Sequence, residues 1–133
     1  MSVFEGLRGL DLSGSEMLED LDGLAGCFSL EWIRLGGCDS LRNVDRLKGK
    51  KKLREFIYDG LFGDCSPFRS SLENIDGLSE YVSLREVVLR DADRITNLDG
   101  ISGCIELKEL EIFSCDSLKN LSGLSGSSGV IIQ

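Results

Sequence analysis

The chain of 133 residues carries 23 acidic and 15 basic side chains, has a formal net charge of −8, and contains no histidine. This length corresponds to one domain, and the negative charge disfavours nucleic acids and anionic membranes as partners because both would repel it. Without histidine there is no Ser-His or Cys-His nucleophile pair, so we expect no enzyme activity, no metal site and no cofactor. No apolar run approaches the ~20 residues of a transmembrane helix, and the start MSVFEGLRGL does not resemble a signal peptide.

An internal repeat of 23 residues organises the chain. Five copies fit the sequence, and they begin at Leu7, Leu30, Leu53, Leu84 and Leu107. The third copy is longer by an insertion of 8 residues. Positions 1, 4, 6, 12, 15 and 18 of every copy hold Leu, Ile, Val, Phe or Tyr. One copy cannot bury six apolar side chains by itself, whereas stacked copies can share a core, so we predict a single repeat domain over residues 1–133.

Each copy contains a segment with the alternation of a short strand. Positions 3 to 7 read, in chain order, GLDLS, WIRLG, EFIYD, EVVLR and ELEIF, and this period of two predicts strands with one buried face. Positions 12, 15 and 18 recur every third residue, which favours a tight 3₁₀-like return. The chain then ends in VIIQ, with Val130 one period after Leu107, so we predict a partial sixth strand over 130–133.

Polar residues of the return segments have two predicted roles. Position 16 is predicted to cap the amino terminus of each return, and it is occupied by Asp22, Asp45, Asp76, Asp99 and Ser122. Position 14 is predicted to satisfy backbone groups with a side-chain amide, and it is occupied by Asn43, Asn74, Asn97 and Asn120. The basic cluster Lys48–Lys52 is predicted to be a solvated turn rather than a phosphate site.

The five cysteines cannot all pair internally because their number is odd. Cys38 and Cys115 share position 9, and Cys27 and Cys104 share position 21, each pair being three copies apart. At ~4.8 Å per strand this separation is about 14 Å, beyond the ~7 Å that a disulfide allows between Cα atoms. We therefore predict reduced, buried thiols that fill space, and hence a cytoplasmic location.

The segments LEWIRLGGCDSL and LKELEIFSCDSL resemble the leucine-rich repeat pattern LxxLxLxxCxxL, and the resemblance covers about Leu7 to Ile132. The NLDGL-type half that follows is similar to the short returns of internalins and of phosphatase-regulating leucine-rich repeat proteins. Position 9, usually Asn in those groups, holds Ser15, Cys38, Ala92 and Cys115 here. One more residue lies between positions 9 and 12 than in the internalin pattern, which is closer to cysteine-containing repeats. The resemblance implies an α/β repeat fold: a curved solenoid with parallel strands on its concave face, short 3₁₀-like turns on its convex face, and a protein partner on the concave sheet.

Positions 3, 5 and 7 of the strands point away from the core. Most are charged or small, and the four apolar exceptions are Trp32, Ile57, Val88 and Phe113. We expect these four side chains to be exposed, with Ile57 and Val88 as direct cross-strand neighbours and with Arg34 and Arg90 beside them. An apolar centre containing Trp and Arg is typical of a protein-binding hot spot. The alternative is that single exposed apolar residues are an ordinary surface feature.

The insertion lengthens one loop to residues 59–71, next to the predicted patch. Its Phe62 and Phe68 are further candidates for partner binding, although they could equally fold back over the sheet edge. We predict a non-enzymatic protein interaction module that acts as scaffold, adaptor or inhibitor. The alternative is a structural or self-assembling segment, or a fragment of a larger surface or adhesion protein, that associates (as a homodimer, for example) through its uncapped ends.

Overall fold

The computed structural model describes residues 6–15, 17–38, 40–59, 72–78, 83–104, 106–113, 115, 117–119, 121 and 131–132. Within these ranges, one sheet of six parallel strands runs in chain order. The strands are β1 (Gly9–Asp11), β2 (Trp32–Gly36), β3 (Glu55–Asp59), β4 (Glu86–Arg90), β5 (Glu109–Phe113) and β6 (Ile131–Ile132). The 3₁₀ turns of the same ranges are Asp22–Leu24, Asp45–Leu47, Asp76–Leu78 and Asp99–Ile101. The predicted strands and short returns are confirmed, and the curvature of the stack stays a prediction.

Neighbouring strands pair with an offset of one copy, so residues at equal positions lie side by side. Trp32 pairs with Glu55 and Glu55 pairs with Glu86, which shows that the insertion between β3 and β4 leaves the register unchanged. The side-chain alternation therefore stays in phase across the insertion, and the same positions face outward on both of its sides.

The sixth strand is confirmed, but its register differs from the predicted one. Glu109 pairs with Ile131, which lies 22 residues further along the chain. The predicted period of 23 would have placed Ile132 opposite Glu109. The last connection is therefore one residue shorter than a full copy.

The core lies between the sheet and the line of 3₁₀ turns. In the second, third and fourth copies, every residue at the six apolar positions is at most 1% exposed. Burial decreases toward both ends, where Leu7 and Leu118 are only partly buried and Leu121 is 46% exposed. Among the described residues the first copy has a neighbour on one side only, and the fifth has only the two residues of β6 on its far side, so part of their apolar surface stays uncovered.

The residue two places before each 3₁₀ turn caps that turn with its side chain. Its Oδ1 accepts a hydrogen bond of 2.9–3.1 Å from the backbone N–H in the pairs Asp20–Asp22, Asn43–Asp45, Asn74–Asp76 and Asn97–Asp99. The role predicted for the asparagines is confirmed at three positions, and Asn120 lies outside the described residues. The N-cap role predicted for the aspartates at position 16 is wrong, because these residues already form the first residue of each turn.

The cysteines fill space between copies, as predicted. Cys27, Cys38 and Cys104 are buried and Cys115 is half-buried, and none of these four described cysteines forms a disulfide. The Sγ of Cys38 lies 3.4 Å from the carbonyl oxygen of Leu12 in the preceding copy, within reach of an S–H donor. The thiols of Cys104 and Cys115 likewise contact the carbonyl oxygens of Leu78 and Leu89, each in the copy before.

Lys50 departs from the prediction of a solvated basic cluster. Lys48, Lys51 and Lys52 are exposed, whereas Lys50 is only 1% exposed. It occupies position 21, where the first and fourth copies carry buried cysteines, so the stacking of copies forces its side chain inward. Its Nζ donates to the carbonyl oxygen of Ala25 at 3.3 Å and lies 4.8 Å from the ring centroid of Phe28. Burial lowers the pKa of Lys50, and the nearby Cys27 opposes that shift.

The first prediction concerns this lysine. Lys50→Met should stabilise the protein by about 1 kcal/mol at neutral pH, because a side chain of similar length then replaces a buried charge. A lysine whose pKa is lowered by folding binds fewer protons in the folded state, so wild-type stability should rise as pH increases toward the ordinary lysine pKa. The advantage of Lys50→Met should therefore shrink between neutral pH and the lysine pKa.

Urea unfolding at several pH values measures this effect, and Lys51→Met at an exposed neighbouring position is the matched control. A pH-independent difference would show that the charge of Lys50 is not the source of the gain, and an equal gain from Lys51→Met would show that its burial is not.

Glycine at position 17 allows the 3₁₀ turns to stack closely. A Cβ on Gly77 would lie 2.1 Å from the carbonyl oxygen of Val44, and a Cβ on Gly100 would lie 2.0 Å from that of Ile75. Gly23, the same position in the first copy, has no atom within 4 Å of its hypothetical Cβ. The turns at Asp76–Leu78 and Asp99–Ile101 therefore require the missing side chain, whereas the turn Asp45–Leu47 stacks on its predecessor with Arg46 at this position.

The second prediction uses this contrast. Gly77→Ala should destabilise the protein by about 1–3 kcal/mol, because the new methyl group meets rigid backbone. Gly23→Ala should change stability by no more than about 0.5 kcal/mol. Thermal unfolding followed by circular dichroism compares the two variants, and equal losses would mean that the spacing of the turns is not set by this contact.

Candidate functional site

The outward positions of the strands form three rows across the sheet. The first row is Gly9, Trp32, Glu55, Glu86 and Glu109, the second is Asp11, Arg34, Ile57, Val88 and Glu111, and the third is Gly36, Asp59, Arg90 and Phe113. We call these residues the sheet face. Because the strands are parallel and in register, side chains from distant parts of the sequence lie about 5 Å apart along each row.

Trp32 forms an ordered aromatic platform on this face. Its half-buried indole lies over the backbone of Gly9, since a Cβ on Gly9 would be 2.0 Å from the ring. The guanidinium carbon of the exposed Arg34 is 5.0 Å from the ring centroid, within the range of a cation–π interaction. The structure thus brings Trp32 and Arg34 together, and Gly9 supplies the space that the ring occupies.

The structure corrects the expected exposure of Val88. Ile57 is half-buried and pairs directly with Val88 as predicted, but Val88 is only 5% exposed. Its short β-branched side chain lies between Glu86 and Arg90 along β4 and between Ile57 and Glu111 on the neighbouring strands. These longer neighbours shield it from solvent. The accessible apolar area of this region is therefore centred on Trp32 and Ile57.

Arg90 and Phe113 lie at the other end of the face. Arg90 donates to a carboxylate oxygen of Glu111 at 2.8 Å, and this hydrogen bond raises the pKa of Arg90. Phe113 pairs in register with Arg90 and is 61% exposed, which confirms its expected exposure. Two strands, β3 and β4, therefore lie between Trp32 and Phe113, so the predicted residues are not gathered in one patch.

Three glutamates form a feature that sequence reasoning treated only as solvated surface. Glu55, Glu86 and Glu109 are direct neighbours along the first row, and none of the ion pairs between described residues involves them. Burial raises the pKa of Glu86, the repulsion from Glu55 and Glu109 raises it further, and Arg34 opposes the shift. The sequence signal that could have indicated this is Glu at position 3 in three successive copies.

A row of basic residues accompanies these glutamates. It occupies position 2, immediately before the strands, and consists of Arg54, Arg85 and Lys108. The two rows together line a shallow groove along the edge of the sheet face. The edge of the face is therefore positive, whereas the first row itself is negative from β3 to β5.

Two of the predicted binding residues cannot be placed. Phe62 and Phe68 lie outside the described residues, as does the rest of segment 60–71. Among the described residues, no group of three His, Cys, Asp or Glu side chains is arranged to hold a metal ion. The same part of the chain contains no helix with the length and apolar character that a membrane span requires.

A separate apolar surface lies at the amino-terminal end of the stack. It is a groove of about 210 Å³. Its apolar lining consists of Leu7, Leu10, Leu12, Leu18, Leu21 and Leu24. These leucines occupy the core positions of the first copy. Among the described residues, no preceding copy covers them.

The fold is similar to that of a solved internalin. Internalin C2 of Listeria monocytogenes superimposes with a TM-score of 0.53 over 95% of this chain, at 17% sequence identity. This chain spans 60% of the length of that protein. No family model and no curated protein matches the sequence. At this level of identity the likeness concerns the architecture, and that architecture is the leucine-rich repeat solenoid.

Proposed function

We propose that the chain is a non-enzymatic protein–protein interaction module, acting as scaffold, adaptor or inhibitor, that binds a protein partner through its sheet face. The observation that carries the proposal is the Trp32 platform, which is partly exposed, lies beneath the Arg34 guanidinium and stands on the strand next to that of Ile57. Tryptophan and arginine are the residue types most enriched in interface hot spots. In this proposal Arg90, Phe113 and the loop 59–71, with Phe62 and Phe68, extend the contact area.

The packing around Trp32 supports this assignment energetically. The ring has the Gly9 backbone on one side and the Arg34 guanidinium within cation–π distance, so its orientation is fixed before any partner arrives. An ordered anchor loses little rotamer entropy on binding, and ordering an interface side chain otherwise costs about 0.5–1.5 kcal/mol. Val88, buried beside Ile57, contributes support for this patch rather than contact area.

A cytoplasmic location is part of the same proposal. It is supported by the four described cysteines, which form no disulfide and of which three are buried in the repeat core. Disulfides are rare in the cytosol, where thiols are kept reduced.

The third prediction tests the sheet face. The double variant Trp32→Ala, Ile57→Asp should lose its partner in affinity capture while retaining wild-type thermal stability to within a few degrees. Truncating one hot-spot residue costs about 2 kcal/mol or more, which is about thirtyfold in affinity, so the double variant should lose at least that much. Met17→Ala, which removes an apolar side chain that is 85% exposed and not part of the sheet face, is the control. Capture of the same partner in the same amount by the double variant would rule out the sheet face as its binding surface.

The second candidate function is self-association through the ends of the stack, and the amino-terminal apolar groove favours it. Its leucines would be covered if another chain stacked there, since each copy buries its apolar residues against a neighbour.

The fourth prediction follows from this candidate. Light scattering during size-exclusion chromatography should show a mass that increases with concentration, and Leu18→Asp in the groove should return the protein to a monomer. A strictly monomeric wild type at high concentration would eliminate the candidate.

A further inference from the structure

We infer that the segment recognised by the sheet face is a basic peptide, in which a Lys or Arg follows an aromatic or aliphatic anchor by about three residues. The inference rests on the proposed function and names the chemistry of its partner. The anchor would contact Trp32 and Ile57, and the basic side chain would contact the glutamates of the first row.

The charge balance of the sheet face is the first argument. Its two guanidinium groups, Arg34 and Arg90, are outnumbered by its carboxylates, which are Asp11, Glu55, Asp59, Glu86, Glu109 and Glu111. Charge complementarity selects partners and excludes those of like charge. A basic partner therefore matches this surface, and an acidic one would be repelled from its centre.

The second argument is that both arginines of the sheet face already have partners. Arg90 is paired with Glu111 at 2.8 Å, and Arg34 lies over the Trp32 ring. The row of Glu55, Glu86 and Glu109 is left without an ion pair among the described residues. Like charges on directly opposite residues of neighbouring strands destabilise a sheet. A cation placed on this row would replace repulsion by charge-assisted hydrogen bonds.

The basic residues at the edge of the face limit where that cation can lie. Arg54, Arg85 and Lys108 are exposed one position before the glutamates. They repel an incoming cation from the outer side of the row. The partner's Lys or Arg is thereby directed to the inner side, toward Ile57 in the second row.

The strand spacing sets the distance between the two contacts. Trp32 and Glu86 lie in the same row on β2 and β4, with one strand between them. At ~4.8 Å per strand the separation is about 10 Å, which an extended peptide at ~3.3 Å per residue spans in about three residues. An anchor over Trp32 and Ile57 therefore places a basic residue three positions later within reach of Glu86 and Glu109.

The fifth prediction separates recognition from folding. Glu86→Gln should weaken binding of a basic peptide and at the same time raise the melting temperature, because the burial of a charge and the repulsion from Glu55 and Glu109, which together raise the pKa of Glu86, both disappear. A loss of binding in a more stable protein cannot be attributed to misfolding. Glu73→Gln, which removes the same charge from an exposed residue outside the sheet face, is the matched control.

The experiment selects peptides from a random library displayed on phage and measures synthetic versions of the enriched peptides by fluorescence anisotropy. We expect enriched sequences with Lys or Arg three residues after an apolar residue. Their affinity should fall about tenfold or more in the Glu86→Gln, Glu109→Gln double variant, remain unchanged in Glu73→Gln, and decrease with added salt.

The outcomes distinguish the inference from the proposed function. Enriched peptides that lack basic residues but lose binding in Trp32→Ala would overturn the inference and leave the binding face in place. Basic peptides that bind the double glutamine variant as tightly as the wild type would also overturn the inference. Peptides that ignore both Trp32 and the glutamates, or the absence of any enriched peptide, would count against the inference and the proposed function together.

Discussion

The structure depends on one constraint: each copy can bury its apolar side chains only against the copy before and after it. The central copies achieve complete burial at all six apolar positions, and the end copies do not. Because the copies must stack in register to share a core, their strands pair in parallel and their outward residues form continuous rows. The sheet face is therefore a consequence of core formation.

The same constraint explains which features could be predicted from sequence. Burial at fixed positions imposes a period, and a period is visible in a single sequence, so the strands, the returns and the outward set follow from it directly. The asparagines before the turns were also predictable, because a short amide next to a turn has few other uses. The exact start of each 3₁₀ turn was not, since the aspartate that resembles an N-cap is already the first residue of the turn.

The features that were not predicted depend on which residues are neighbours in space. Val88 has the outward position expected of it, yet longer neighbours on three strands cover it. In the sequence, Lys50 belongs to the basic cluster Lys48–Lys52. It occupies position 21, however, which holds buried cysteines in two other copies, and Lys50 is buried as they are. The stacking of Trp32 on Gly9 joins residues 23 apart in the sequence, and only the register of β1 and β2 reveals it. Each case required knowledge of the spatial neighbours, which a linear pattern does not contain.

The unchanged register on both sides of the insertion has a consequence for how such a protein can diversify. Glu55 and Glu86 pair as closely as residues joined by a regular copy, although 31 residues separate them. Length variation at this connection is thus absorbed outside the sheet, and doubling a flexible loop costs only about 0.6 kcal/mol in closure entropy. The connection after β3 is accordingly a point where new segments can be accepted or exchanged while the rest of the architecture is inherited intact.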